Sequence, residues 1–384
     1  MAERTKIGIA VVGGENWAGG YYYILNTLKA LDTLSVEDKP EIYIFYTDFA
    51  NLHLIKEINY PYISYLPLEK SLSVALKLAN RISNKFIGHL VFKSKPYSLK
   101  TVKFIFPYNY PWIFPSLDKL NKIYWIPDFQ HIYYPIFFSE DEIKKRDHMI
   151  TKISETTDGL VLSSQSSFND YKKAYPHYKN KIYVIPFASI LPNFSSINWQ
   201  TLKAKYQITE PFFFVPNQFW KHKNHIIVLK ALHLLKMQEI KVLVLFSGKE
   251  DNYNDHNQSS ILKKYVKEND LKEYVRFLGF IDRKEQLSIL KHAVAVVQPS
   301  LFEGWSTVIE DSKALNQFVI ASDISVNREQ LTNNCYFFNP TDEQNLADLL
   351  KKIIQSPPEI KILDYSINIE RYAELLKKLC LNKD

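Results

Sequence analysis

The chain alternates short, continuous apolar runs with longer amphipathic ones. Residues 6–12 (KIGIAVV) are almost wholly apolar and end in Gly13-Gly14. That is the pattern of a strand buried on both faces that feeds a glycine loop. After Gly19-Gly20, residues 21–31 carry helical spacing. Strand-like runs follow at 41–46, 101–106, 122–126, 159–162 and 181–185, with helical patterns between most of them. Strands alternating with helices predict βαβ units and a parallel sheet. A Pro/Asn/Ser-containing stretch at 186–198 interrupts the pattern, which then resumes. Strands are expected at 212–215, 241–246, 275–278, 293–297 and 318–321, and helices at 224–236, 259–269, 284–292 and 307–315. Residues 367–379 have helical character and no strand after them. Two α/β halves joined near residue 190 suit 384 residues better than one oversized sheet. The expected units are 1–195, 196–363 and a terminal helical segment, 364–384.

Composition narrows the setting. An apolar fraction of 46% supports ordinary globular cores. Two cysteines, Cys335 and Cys380, cannot build a disulfide framework and point to a reducing, cytoplasmic compartment. The first residues are charged and run directly into a short strand, unlike a secretory leader. No apolar stretch approaches the roughly 20 residues that span a bilayer. The expectation is a soluble or peripheral protein.

The net charge of +7 is unevenly spread. Between Lys70 and Lys103 eight Lys/Arg occur (70, 77, 81, 85, 93, 95, 100, 103) and no Asp or Glu. Leu72, Ala75, Ala79, Ile82, Phe86 and Leu90 recur at helical spacing beside a basic row, Lys77, Arg81 and Lys85. Two readings stay open: a helix lying on an anionic membrane surface, or one packed on its own domain with a solvated basic face.

The candidate chemistry follows the expected strand at 293–297. Pro299-Ser300 leads to Leu301-Phe302-Glu303-Gly304-Trp305-Ser306 and then to a helix. A carboxylate at the carboxyl end of a parallel strand, beside a glycine that lets backbone approach closely, lies where open α/β sheets bind ligands. Thr307 and Glu310 have capping-box spacing, and the helix start is a natural phosphate site. Residues 213–225 (FFVPNQFWKHKNH) are a second strand–loop–helix with a basic loop. There is no zinc spacing, no Gly-x-Ser-x-Gly elbow and no Walker loop; His222 and His225 lack Cys or acidic neighbours in sequence.

The order of residues from 299 to 323 (PSLFEGWSTVIEDSKALNQFVIASD) closely resembles the donor-site segment of glycosyltransferase family 4, a group of retaining GT-B enzymes. The resemblance implies an α/β fold of the GT-B type, with two Rossmann-like domains facing a central cleft. It makes 1–195 the acceptor-side domain, 196–363 the donor domain and 364–384 a helix crossing back to the first. Glu303 matches the family's first glutamate, which sits at the transferred sugar. The second, which binds the ribose, lies eight positions on; that count lands on Asp311, with Glu310 next door as the alternative. Lys223 falls on the lysine that neutralises the nucleoside diphosphate, and Gln218 on its partner arginine. That departure leaves one cation unless Lys221 or Arg328 compensates. Gly19 and Gly20 resemble the Gly-Gly turn that faces the donor phosphates. Gly248 belongs to a turn near the nucleotide base. Residues 125–139 (WIPDFQHIYYPIFFS) resemble an acceptor-side loop, with Asp128 and His131 as chemical candidates.

The function implied is retaining transfer from a nucleoside diphosphate sugar to a hydroxyl of a glycan or lipid-linked glycan, as in polysaccharide or O-antigen assembly. Glu303, His131 and Asp128 would be catalytic. Lys223, Gln218, Gly304, Trp305, Ser306, Thr307, Glu310 or Asp311, Gly19, Gly20 and Gly248 would bind the donor. No metal or other cofactor is implied. The partners would be the nucleotide sugar, the acceptor and, through the basic region, an anionic inner membrane face, with no nucleic acid. The alternatives are a GT-B sugar-nucleotide epimerase or phosphorylase, and a non-catalytic GT-B binding protein.

Overall fold

A computed structural model describes residues 3–11, 18–46, 52–67, 79, 83, 102–108, 120–208, 211–249 and 257–381. The Gly13-Gly14 loop and almost all of the basic 70–103 region, Lys103 excepted, lie outside the described residues.

Two parallel sheets organise the chain. The first contains β1 (Lys6–Ala10), β2 (Glu41–Tyr46), β3 (Ile63–Pro67), β4 (Phe104–Tyr108), β5 (Lys122–Ile126), β6 (Gly159–Leu162) and β7 (Lys181–Val184). Their order is β3-β2-β1-β4-β5-β6-β7. The second contains β8 (Phe212–Val215), β9 (Leu243–Phe246), β10 (Val275–Phe277), β11 (Ala295–Gln298), β12 (Val319–Ser322) and β13 (Cys335–Phe338), in the order β10-β9-β8-β11-β12-β13. In both sheets the order turns back between the first strand and its later neighbour, β1/β4 and β8/β11. Loops leaving the carboxyl ends of strands at such switch points form ligand crevices.

The central strands explain their sequence. β8, β9, β11 and β12 are buried at every position, so their apolar runs are continuous instead of alternating. The edge strands β3 and β13 were not expected from the sequence. Both are largely half-buried; β3 is broken by Ser64, and β13 is a run of only four residues, CYFF, between polar neighbours.

The last helix, Ser366–Leu381, returns to the first sheet. Tyr372, Leu376 and Leu379 join that sheet's core. The Tyr372 and Thr27 hydroxyls are 2.7 Å apart, and Lys377 pairs with Asp38 at 2.7 Å. Cys380 is buried there, which pushes its thiol up to about 12; both cysteines are free. Among the described residues no helix is long and apolar enough to cross a membrane.

Candidate active site

A cleft of about 130 Å³ opens between the two sheets. Its wall from the second sheet is built by three loops. The Asn217 carbonyl at the end of β8 packs against Gly248, where a Cβ would stand 2.3 Å from that oxygen. Only glycine fits. Gln218 Oε1 accepts from the Lys249 amide at 3.1 Å, so Gln218 braces that loop. A short 3₁₀ turn, Lys221–Lys223, then leads through Asn224, in the left-handed region at φ 54°, into the helix His225–Met237.

Lys223 Nζ reaches Glu303 Oε1 at 2.6 Å. Gln298, closing β11, donates to the same oxygen at 2.7 Å and accepts from Asn217 Nδ2 at 3.0 Å. Two donors thus fix Oε1, and Oε2 remains to meet a ligand. The Lys223 and Glu303 side chains are 14% and 9% exposed, so the pair is largely desolvated and electrostatically strong. His222 and His225 lie beneath this turn. Burial pulls His222 well below the usual imidazole range and His225 down to about 3, so both stay neutral.

The helix Thr307–Ala314 starts beside the pair. Its cap corrects the sequence expectation. Ser306, not Thr307, is the N-cap and accepts from the Ile309 amide at 3.4 Å, so Thr307 and Glu310 form no capping box. Glu310 turns inward instead and is 1% exposed. It accepts from Tyr365 (2.5 Å), Lys313 (2.8 Å) and Gln330 (2.9 Å). Tyr365 in turn accepts from the Ser189 amide at 2.9 Å. Gln330 accepts from the Ser306 amide at 3.1 Å, and Thr307 and Val308, whose amides belong to the helix's first turn, line the cleft. Asp311 lies one turn beyond Thr307 on the same helix face. It is bound by Arg283 Nη2 at 2.6 Å, and the Arg283 guanidinium stands over Tyr22 of the opposite wall at 5.1 Å.

The wall from the first sheet is small and aromatic: Gly19 and Gly20 in the first turn of the helix Ala18–Asp32, then Trp125, Pro127, Asp128, Ser163 and Phe187. Trp125 stacks on Tyr23 at 3.8 Å and donates to Ser163 Oγ at 3.1 Å. Asp128 caps the Gln130 amide at 3.0 Å. The walls touch: a Cβ on Gly304 would stand 1.8 Å from the Pro127 carbonyl oxygen. Trp305 Nε1 donates across to Phe187 O at 3.0 Å, and Glu329 accepts from the Gln165 and Ser166 amides at 2.7 and 2.9 Å.

Of the expected site residues, Gly19, Gly20, Asp128, Lys223, Glu303, Gly304, Trp305, Ser306 and Thr307 line one cleft. His131, Gln218, Gly248, Glu310 and Asp311 are not among its lining residues. His131 is buried behind the loop, 3.1 Å from Asp147 Oδ1; burial and the nearby Arg146 lower its pKa. Arg328, a suggested second cation, donates to Asp323 at 2.7 Å. The relay Asn217–Gln298 was not anticipated. Its only signal was a glutamine ending an otherwise apolar strand, AVVQ.

The comparisons with known proteins agree with this layout. Residues 200–372 match the family described as Glycosyl transferases group 1. An O-antigen chain mannosyltransferase, RfbU, of Salmonella typhimurium is 28% identical over 62% of this chain and 63% of its own. The gpi3 subunit of the Schizosaccharomyces pombe phosphatidylinositol N-acetylglucosaminyltransferase is 23% identical over 52% of this chain and 40% of its own. The alignments therefore span less than two thirds of either relative. HepE of Anabaena, solved with UDP and glucose, superposes with a TM-score of 0.63, covering 98% of this chain and 96% of that one at 15% identity. The fold is that of GT-B proteins.

Proposed function

We propose that this chain, whose residues 200–372 match the group 1 glycosyltransferases, moves a sugar from a nucleoside diphosphate sugar to a hydroxyl of a glycan or glycoconjugate. The observation that carries the reading is the Lys223–Glu303 pair set against the first-turn amides of the Thr307–Ala314 helix, all on one wall of the cleft. A lysine and a helix start suit a diphosphate, on which charge develops as the sugar leaves.

In this reading Lys223 and the Thr307 and Val308 amides take the departing diphosphate, and no metal is needed. Glu303 holds the sugar by hydroxyls. Asp311, at the family's spacing from Glu303, receives the ribose together with Arg283. It is favoured over Glu310 because the latter already has three internal partners, although both carboxylates are buried. Asp128 faces the acceptor. Transfer proceeds with retention: the anomeric carbon–phosphate oxygen bond breaks, the acceptor oxygen bonds that carbon on the same face, and its proton goes to the released phosphate. A cavity of about 130 Å³ is smaller than the roughly 300 Å³ and upward of small-molecule sites, so the walls must part to admit the donor and close again to exclude water. The likeness to an O-antigen mannosyltransferase supports surface-polysaccharide assembly, and hence a cytoplasmic protein working at the membrane face.

The test is a transfer assay with sugar nucleotides and glycan acceptors in excess EDTA, with the new linkage read by NMR. Transfer with the donor's anomeric configuration preserved is expected. An inverted product would overturn the mechanism, and loss of transfer in EDTA would overturn the metal-free assignment.

A further inference from the structure

Among the described residues that line the cleft, Lys223 is the one cation. It is already engaged, with its Nζ 2.6 Å from Glu303 Oε1. A diphosphate entering the cleft competes with Glu303 for that charge. The lysine ammonium has three protons to share, but its attraction is then divided. Glu303 therefore needs a second tether when the cation turns to the phosphates. Gln298 provides one. It ends β11, after Ala295, Val296 and Val297, and its backbone is held in register with Ala321 of β12. Its side chain is fully buried. A carboxamide in such a strand is costly unless its polar atoms are paired. Here Oε1 accepts from Asn217 Nδ2 at 3.0 Å, while Nε2 donates to Ser300 Oγ at 3.1 Å and to Glu303 Oε1 at 2.7 Å.

The orientation of this amide is forced by chemistry. Turned over, it would set its oxygen against the Glu303 carboxylate and its NH2 against that of Asn217, acceptor on acceptor and donor on donor. Asn217 is itself held: its backbone carbonyl lies 3.3 Å from the buried His225 ring and packs on Gly248. Gln298 can thus only donate to Glu303. Being uncharged and behind the cleft wall, it is not drawn to an incoming phosphate as a lysine is. We infer that Gln298, set by Asn217, is a positioning residue: it keeps Glu303 Oε1 in place while Lys223 is drawn from the carboxylate to the diphosphate, so that Oε2 stays aimed at the transferred sugar. The inference rests on the proposed function and deepens it. One lysine serves the carboxylate and the leaving group in turn, and a neutral relay holds the carboxylate through the exchange.

The experiment uses the full chain and the sugar nucleotide that wild type transfers best. Gln298→Met keeps the length and removes the amide. It should lower kcat about tenfold or more, with donor KM and calorimetric affinity for the nucleoside diphosphate within about twofold of wild type. Asn217→Ala, which frees the amide to turn, should lower kcat severalfold, and the double variant should lose no more than Gln298→Met alone. Three results would overturn the inference: a kcat within about twofold of wild type in Gln298→Met, additive losses in the double variant, or an equal loss of nucleoside diphosphate affinity in Gln298→Met, which would mean that the wall had loosened. Asn217→Ala leaves β11 untouched and decides alone should Gln298→Met not fold. A second readout needs no transfer. The Gln298 side-chain amide resonance, in protein labelled with 15N-glutamine and identified by its absence from Gln298→Met, should move upfield in Glu303→Ala as its charged acceptor is removed. A resonance that stays in place would overturn the contact. Wild type that transfers from no sugar nucleotide and binds no nucleoside diphosphate would count against the proposed function, and the resonance would still judge the relay.

Discussion

The two walls of the cleft are built on different principles. The wall from the second sheet is charged and joins two loops about eighty residues apart. Lys223, Glu303 and the start of the Thr307–Ala314 helix are held by the short Asn217–Gln298 relay, and each neighbour serves to fix a charge. The wall from the first sheet is small and aromatic, gathered from Gly19 to Phe187, and among the described residues contributes one carboxylate, Asp128. A charged, pre-oriented surface suits a diphosphate leaving group. A surface of rings and backbone suits a neutral, hydroxyl-rich partner that must approach closely. The family match, residues 200–372, covers the first kind of wall.

The sharpest break of this contrast is at Glu303. Glu303→Gln keeps the shape and removes the charge, and transfer should fall about a thousandfold with nearly unchanged unfolding temperature. A comparable loss of stability would make Glu303 a structural group. Next comes the contact between the walls. Gly304→Val places a side chain where a Cβ already stands 1.8 Å from Pro127 O, so the walls cannot meet. Transfer should drop about a hundredfold, while calorimetric affinity for the nucleoside diphosphate changes little. Equal losses in both would show that closure is not what Gly304 permits.

Tyr365→Phe separates scaffold from site. It strips Glu310 of one buried donor, at a cost of about 1–3 kcal/mol in denaturant unfolding with nucleotide affinity retained. A selective loss of nucleotide affinity instead would return Glu310 to the ribose. A further contrast is in pH dependence. His222 and His225 are neutral when folded because burial depresses their pKa values, and in the unfolded chain they titrate near ~6.5. Below that value the unfolded state binds protons that the folded state does not. Stability should be level above about pH 6.5 and fall as pH drops, by up to about 1.4 kcal/mol per unit for each histidine, continuing to about 3 for His225. A flat profile from pH 7 to 5 would mean that these rings are solvated.

The sequence carried the parts of this picture that are periodic or contiguous. The buried strands β2, β5, β6 and β8 sit where continuous apolar runs lie. Edge strand β3 is interrupted by Ser64, and the four-residue run of β13, CYFF, follows directly on Asn333-Asn334 and is only partly buried. The site was legible where its residues are neighbours, as in 303–307. It was less so where geometry arbitrates. Spacing alone left Glu310 and Asp311 open, and the inward turn of Glu310 depends on Tyr365, more than fifty residues away. The seat of His131, behind the cleft wall against Asp147, is likewise a long-range packing outcome. Gln218 matched a cation-bearing position, but its side chain braces the Lys249 loop.

The central claim is that the charged wall is built for a nucleoside diphosphate. A thermal-unfolding series with UDP-, GDP-, ADP- and dTDP-sugars, on wild type and Lys223→Ala, tests it most directly. At about a hundredfold excess over Kd, one donor class should raise the wild-type midpoint by about 5 °C, and Lys223→Ala should lose most of that shift. No shift with any donor, or an undiminished shift in Lys223→Ala, would contradict the account.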